Sequence, residues 1–312
     1  MHAVVYERHG GPDVLHYKEV PDPSPHDGDA LVEVEAIGVN FRDVYEREGR
    51  DYALQPPAII GVEGAGSNVA TGERVVWLDV PHSYAQRVAA DPAKLVPIPD
   101  GIPTDVAAAA LMQGLTAHYL AHDSYPIQRG DWVIVHAAAG GVGLLLTQMA
   151  KLLGGRVIAT TSSDDKAQLA REAGAEEVIG YEGFAQRARE ITGGEGVAAI
   201  YDGIGKTTFN EGLTAIRPLG RMIIYGAASG QPDPVPVHLL AKSGSLYVQR
   251  PTIATYIRTP ELRRQRAAKV FDLIKQGRLK VRIGAKYPLS EARQAHIDLE
   301  ARKTTGKILL RP

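Results

Sequence analysis

The sequence predicts an α/β fold in which a doubly wound parallel-sheet unit is inserted between two parts of a β-rich domain. Three observations predict it. From Gly130 to about Val248, short apolar runs alternate with helix-patterned segments, the rhythm of βαβ units whose sheet carries helices on both faces. The first hundred residues read instead as short strands punctuated by proline and glycine, and the tail from Glu261 leaves the βαβ rhythm again. A glycine-rich turn joins the first strand of the middle region to its first helix.

Ala30–Ala36 alternates apolar and polar residues with period two, as a half-buried strand does. Glu73–Leu78 and Tyr84–Val88 read as further strands. Pro21-Asp22-Pro23-Ser24-Pro25 and Gln55-Pro56-Pro57 are loops, because proline supplies no donor to a ladder or helix interior. Thr104 or Asp105 caps a helix running through Ala107–Ala110. The middle region gives strands at Trp132–Val135, Arg156–Thr160, Val178–Ile179, Val197–Tyr201, Arg221–Tyr225 and Leu246–Val248. Its helices fall at Leu144–Leu153, Asp165–Ala173, Phe184–Ile191 and Phe209–Ala215. The tail holds a helix from Glu261 to about Gln276, a second over Glu291–Leu299 and a final strand, Lys307–Leu310.

Composition narrows the chemistry. The 312 residues contain no cysteine, which excludes disulfides and every metal site that needs thiolate ligands. Lys+Arg number 35 against 36 Asp+Glu, a formal net charge of −1. That balance argues against a nucleic-acid binder working by phosphate neutralisation. Met1–Tyr6 shows no basic segment followed by an apolar one. The longest weakly polar stretch, Val106–Ala117, is interrupted by Gln113 and Gly114, whereas a membrane span needs about 20 apolar residues. A soluble, cytoplasmic protein without membrane association is expected.

The turn Ala138-Ala139-Gly140-Gly141-Val142-Gly143 follows a strand and opens a helix. It fits the dinucleotide fingerprint G-x-G-x-x-G with Ala138 at the first position. Gly140 lets backbone approach a pyrophosphate, and Gly143 lets helix pack on strand. The helix N-terminus adds free N–H groups and a positive dipole end. An NAD site places a carboxylate at the end of the second strand, about 20 residues on. Here that strand ends in Thr160-Thr161-Ser162-Ser163, followed by Lys166. Hydroxyls and a lysine suit a 2′-phosphate, so NADPH is the expected cofactor. Asp164 and Asp165 stand where a helix N-terminus favours anions.

Gly130-Asp131, His136 to Gly143, Gln148 and Lys151 together closely resemble the signature of the quinone oxidoreductase (zeta-crystallin-like) family. This is the zinc-free branch of the medium-chain dehydrogenase/reductase superfamily. Only Ile134 departs, where leucine is usual. Gly38–Asp43, Gly61–Gly66, Gly114–Ala117, Tyr201–Gly205, Leu246–Pro251 and Thr304–Lys307 are similar too, so the resemblance spans nearly the whole chain. It implies a GroES-like catalytic domain over 1–115 and 251–312 and a Rossmann NADPH-binding domain over 116–250. It also implies a homodimer and a cofactor held in the interdomain cleft.

Carried over block by block, Asn40 and Tyr45 would face the nicotinamide, with Thr116 and Tyr119 nearby. Gly140, Gly141 and Val142 would hold the pyrophosphate, and Ser162, Ser163 and Lys166 the 2′-phosphate. Tyr181 would lie on the adenine side, and Tyr225, Arg250 and Arg302 would make the remaining contacts. Zinc-dependent relatives have Gly-His-Glu where this chain has Gly61-Val62-Glu63, and their catalytic cysteine falls near Arg42. Their four-cysteine structural loop is absent. Alcohol oxidation normally needs a Lewis acid on the alkoxide, so no metal is expected and the acceptor becomes a quinone or conjugated carbonyl. Relatives carry a longer loop between Gly66 and Glu73, which leaves the cleft rim of this chain more open.

Tyr52 has two readings, a proton donor as in related enoyl thioester reductases or a ring lining the cleft. Asn40, Tyr45 and Tyr52 are the catalytic candidates. His118 and His122 have the spacing of a metal pair, but a structural helix explains them. His136 reads as packed or supporting, and Arg263-Arg264-Gln265-Arg266 as a solvated helix face. The function expected is NADPH-dependent, metal-independent quinone reduction. The alternatives are an enoyl or α,β-unsaturated carbonyl reductase and, behind it, a nucleic-acid-binding or structural role.

Overall fold

Alternating side chains in the N-terminal third fold into two small sheets. The computed structural model describes residues 1–50 and 54–312. The chain first forms β1 (His2–Tyr6), β2 (Leu15–Glu19), β3 (Ala30–Val39), helix α1 (Phe41–Arg47) and β4 (Ala58–Ile59). It continues with β5 (Glu63–Asn68), β6 (Arg74–Leu78), β7 (Arg87–Ala90), β8 (Leu95–Pro97) and α2 (Thr104–Tyr119). The strand expected at Tyr84–Val88 begins only at Arg87. Tyr84 is spent on other partners: its N–H donates to the Ile60 carbonyl, and its own carbonyl accepts from Val4. Past Tyr119 the helix loosens into a π-type turn, Leu120–Ser124.

The middle region alternates as its pattern requires. β9 (Trp132–Val135), α3 (Gly141–Leu152), β10 (Arg156–Thr160), α4 (Asp164–Ala173) and β11 (Glu177–Ile179) come first. Then follow α5 (Phe184–Ile191), β12 (Val197–Asp202), α6 (Phe209–Ala215), β13 (Ile216–Ile224), α7 (Val237–Lys242), β14 (Tyr247–Gln249) and α8 (Ile253–Tyr256). The six strands pair in the order β11-β10-β9-β12-β13-β14, every pair parallel. Strand order therefore reverses between β9 and β12, the switch point outside which such sheets bind ligands. β12 is buried along its whole length, as a central strand covered on both faces must be. Ser163 stands extended at the start of α4, with Asp164 and Asp165 in the first turn, and Gly174 stops the helix at φ +109°.

The tail adds α9 (Pro260–Lys275), β15 (Ile283–Pro288), α10 (Ala292–Glu300) and β16 (Lys307–Arg311). The Thr259 hydroxyl accepts from the Leu262 N–H and Pro260 opens α9 with its φ already helical. β16 pairs antiparallel with β3 and parallel with β15. The larger N-terminal sheet thus runs β15-β16-β3-β5-β6-β8, with β7 also on β3, and a second runs β2-β1-β4. Val32, Val34, Ile37, Trp77, Tyr84, Ile308 and Leu310 share one core. Two compact units result: Met1–Gln113 with Arg258–Pro312, and Gly114–Ile257. No helix among the described residues is long and apolar enough to cross a membrane.

Candidate functional site

In the parallel-sheet unit, Gly140, Gly141, Val142, Ser162, Ser163, Lys166 and Tyr181 of the predicted cofactor residues follow the carboxyl ends of β9, β10 and β11. Gly140 is extended (φ −76°, ψ 172°) and precedes α3, whose first internal bond runs from the Leu144 N–H to the Gly140 carbonyl. The N–H groups of Gly141, Val142 and Gly143 lie in that first turn, where a helix supplies no acceptor of its own. Gly143 is required: a Cβ there would stand 2.4 Å from the Ala137 carbonyl oxygen and 2.7 Å from Ala138 Cα. Ala137 itself adopts a left-handed conformation, φ +50°.

β10 ends at Thr160, and Ser162, Ser163 and Lys166 follow on one turn, with Lys166 Nζ donating to Ser162 Oγ at 3.2 Å. Tyr181 accepts from the Ala137 N–H at 3.1 Å, which holds it beside the glycine-rich turn. At the end of β12, Asp202 accepts from the N–H groups of Ile204 (2.6 Å) and Gly205 (3.0 Å) and from Thr208 Oγ1 (2.8 Å), shaping the next turn. Tyr225 follows β13 and lies against Gly203, where a Cβ would come within 2.9 Å of its hydroxyl. Arg250 Nη1 donates to the Ile224 carbonyl at 3.1 Å. Thr116 and Tyr119 are buried on α2. The ring of Tyr119 is stacked on Tyr256 at 4.1 Å.

In the other unit, Asn40 opens α1 as its N-cap, with Asp43 Oδ2 accepting its N–H at 2.8 Å. The Asn40 amide is fully committed: Nδ2 donates to Glu63 Oε2 (2.9 Å) and to the Gly38 carbonyl (3.2 Å), and Oδ1 accepts from Lys307 Nζ (2.8 Å). Lys307 also donates to Glu63 Oε2, whose partner oxygen accepts from the Met112 N–H at 2.7 Å. Glu63 and Lys307 are both fully buried. Tyr45 is nearly buried, with the Arg50 guanidinium 4.5 Å above its ring. Arg302 follows α10 at φ +55°. Tyr52 lies outside the described residues.

A directed chain of hydrogen bonds extends from Asn40 into the core. Arg47 only donates, so its Nη1 at 3.2 Å makes His296 Nδ1 the acceptor and puts the ring proton on Nε2. Nε2 then donates to Tyr84 Oη at 3.2 Å, and Tyr84 donates to Asp43 Oδ2 at 2.9 Å. Burial, then the Arg47 charge, hold His296 down at about 3, so it stays neutral as the chain requires. Burial pushes the Asp43 carboxyl up to about 6 and the Tyr84 phenol well above its ordinary range. Glu46, buried one helical turn on, is pushed up to about 8 by burial and by the Asp43 charge.

Known proteins match both units. A family model for the alcohol dehydrogenase GroES-like domain covers residues 26–89, and one for zinc-binding dehydrogenase covers 141–276. The quinone oxidoreductase of Pseudomonas aeruginosa is 39% identical over 321 residues, 99% of each chain. The chain belongs to the quinone oxidoreductase family. The Escherichia coli member, solved in complex with NADPH, superposes with a TM-score of 0.97 at 37% identity over 100% of both chains. The 2-haloacrylate reductase of a Burkholderia species is 37% identical, covering 99% of this chain and 98% of the relative. Like these family members it pairs a GroES-like domain with a Rossmann-type parallel sheet, and it is an oxidoreductase of the medium-chain superfamily.

The positions that hold zinc in other branches of the superfamily carry a donor set that does not fit the metal here. Val62 is buried and apolar. Arg42 faces Asp79 at 3.1 Å, and Glu63 is engaged by Lys307 and Asn40. Among the described residues no group of three or more His, Asp or Glu could hold a metal ion. Sequence reasoning missed the Arg47–His296–Tyr84–Asp43 chain and the Lys307–Glu63 pair. The spacing Asn40-x-x-Asp43 is a readable capping signal; nothing local marks Lys307 as the partner of Glu63.

Proposed function

We propose that the chain is an NADPH-dependent quinone oxidoreductase that works without a metal. One observation carries the reading: the glycine-rich turn follows β9, beside the switch point of the parallel sheet, and the turn bearing Ser162, Ser163 and Lys166 follows the adjacent β10, which ends in hydroxyl residues with no carboxylate. Gly140, Gly141 and Val142 would hold the pyrophosphate at the N-terminus of α3. Ser162, Ser163 and Lys166 would bind the 2′-phosphate, and Tyr181 would line the adenine side. Thr116, Tyr119, Tyr225, Arg250 and Arg302 complete the proposed contacts. Bound NADPH supplies the hydride.

The chain's own residues would orient the acceptor rather than activate it by charge, since conjugated rings accept hydride directly. Asn40 and Tyr45 form fixed walls, one pinned by Glu63 and Lys307, the other by the Arg50 guanidinium. Tyr52 is the third catalytic candidate, and it or solvent supplies the proton. The test is NADPH oxidation by purified protein with a panel of benzo- and naphthoquinones. Turnover with several supports the reading, and turnover with none overturns it.

The similarity to a 2-haloacrylate reductase favours a second reading, reduction of an α,β-unsaturated carbonyl. Faster turnover on enones or enoyl thioesters than on quinones, lost in Tyr52→Phe, would establish it. We also propose a homodimer. β14 is the edge of the six-stranded sheet, and its Tyr247 is 57% exposed beside Val248 at 38%, an open edge that a second copy can extend. Light scattering should give twice the chain mass, and Tyr247→Lys should halve it.

A further inference from the structure

Three consecutive residues after β9 are each tied to a different place on the neighbouring turns. His136 Nδ1 lies 2.8 Å from Thr160 Oγ1. The Ala137 N–H donates to Tyr181 Oη at 3.1 Å, and the Ala138 N–H donates to the Thr160 carbonyl at 3.2 Å. Thr160 closes β10 and begins the run that leads through Ser162 and Ser163 into α4. The glycine-rich turn, the serine turn and Tyr181 are thereby held in one register.

His136 is the costly member of this set. It is fully buried, edge-on to Phe184 at 4.8 Å and 6.1 Å from the Tyr181 ring. Burial drives its pKa down to about 4, so the imidazole is neutral at ordinary pH. Nε2 has no partner among the described residues. Either tautomer strands that nitrogen, so an apolar side chain would fill the space with less desolvation cost. What the imidazole adds is the bond to Thr160.

We propose that His136 is a positioning residue for cofactor discrimination: through Thr160 it fixes the Ser162–Lys166 turn relative to the glycine-rich turn, and with it the preference for a 2′-phosphorylated adenosine ribose. The proposal rests on the NADPH reading above. A dinucleotide joins its pyrophosphate to its 2′-phosphate by a span of fixed reach. Ser162 and Lys166 are already bonded to each other, so the turn moves as a unit. A shift of that turn against the glycine-rich turn therefore penalises a ligand that must satisfy both and spares one anchored only at the pyrophosphate.

The experiment is to titrate NADPH and NADH against wild type, Thr160→Val, Thr160→Ser, His136→Leu and His136→Asn. Thr160→Val keeps the shape and deletes the hydroxyl, so it reads the bond even where His136→Leu fails to fold. Loss of one buried hydrogen bond predicts an NADPH Kd raised about tenfold in Thr160→Val, with NADH changed by less than about twofold. Thr160→Ser and His136→Asn retain a bonding atom and should stay within about twofold of wild type. Equal losses for the two cofactors, or an unchanged NADPH/NADH ratio in Thr160→Val, overturn the proposal alone. A wild type that binds NADH as tightly as NADPH overturns the cofactor reading and this proposal with it.

Discussion

Lys307→Met should be among the most damaging single substitutions away from the glycine-rich and serine turns. The ammonium is fully buried and bonds Glu63 Oε2 and Asn40 Oδ1. Its removal strands the Glu63 carboxylate, which keeps two neutral donors, Asn40 Nδ2 at 2.9 Å and the Met112 N–H at 2.7 Å. Breaking a buried pair from one side costs about 3–5 kcal/mol. The two surviving bonds place this case at the lower end, about 3 kcal/mol. Glu63→Gln alone strands the cation and should cost a similar amount. The double variant removes both charges while the substituted amide oxygen still accepts from the Met112 N–H, and should cost only about 1–2 kcal/mol. Urea unfolding followed by circular dichroism, with the slope compared across variants, measures all three. A single-variant cost below about 1 kcal/mol, or a double equal to the sum of the singles, would refute the reasoning.

Glu46 makes stability fall as pH rises. Its carboxyl is pushed up to about 8, chiefly by burial, while an unfolded chain releases that proton near 4.3. Between those values the folded state holds the extra proton, and stability declines by up to about 1.4 kcal/mol per pH unit. The Tm of Glu46→Gln relative to wild type should therefore grow from pH 5 to pH 9; a constant difference would exclude a protonated Glu46. Gly143→Ala should cost about 1–3 kcal/mol and weaken NADPH binding, because its methyl group meets the Ala137 carbonyl. Gly180→Ala, with open space around its Cβ, should stay within about 0.5 kcal/mol in the same thermal melts. Lys166→Ala should raise the NADPH Kd about tenfold and leave NADH unchanged, and the NADPH effect should shrink as salt is raised.

How much of this is legible depends on sequence separation. Phe184–Ile191 and Phe209–Ala215 form helices with the bounds their periodicity gives, because a helix is written in neighbours three and four apart. The glycine-rich turn is legible for the same reason, being a strand, a turn and a helix in one short stretch. Local β-propensity places Tyr84 in a strand, but its backbone bonds go to Val4 and Ile60 and its hydroxyl to Asp43. Those partners are set by tertiary packing. Asn40 is named as a candidate by resemblance, yet nothing near it in sequence shows that its amide is already consumed by Glu63 and Lys307. A lysine opening a terminal strand reads as a solvated end; only the sheet that sets β16 beside β3 makes it a core residue.

That pairing also sets a timetable for biosynthesis. Glu63 emerges 244 residues before Lys307, an interval of about 12 to 50 s at ordinary translation rates of about 5–20 residues per second. Throughout it the nascent chain carries a carboxylate destined for the interior without its counter-ion, and β3 lacks its neighbour β16. The parallel-sheet unit, contiguous from Gly114 to Ile257, is complete before that wait ends. A polypeptide released before Gly306 would hold an intact dinucleotide fold attached to an unfinished β-sheet, a product for proteases to clear.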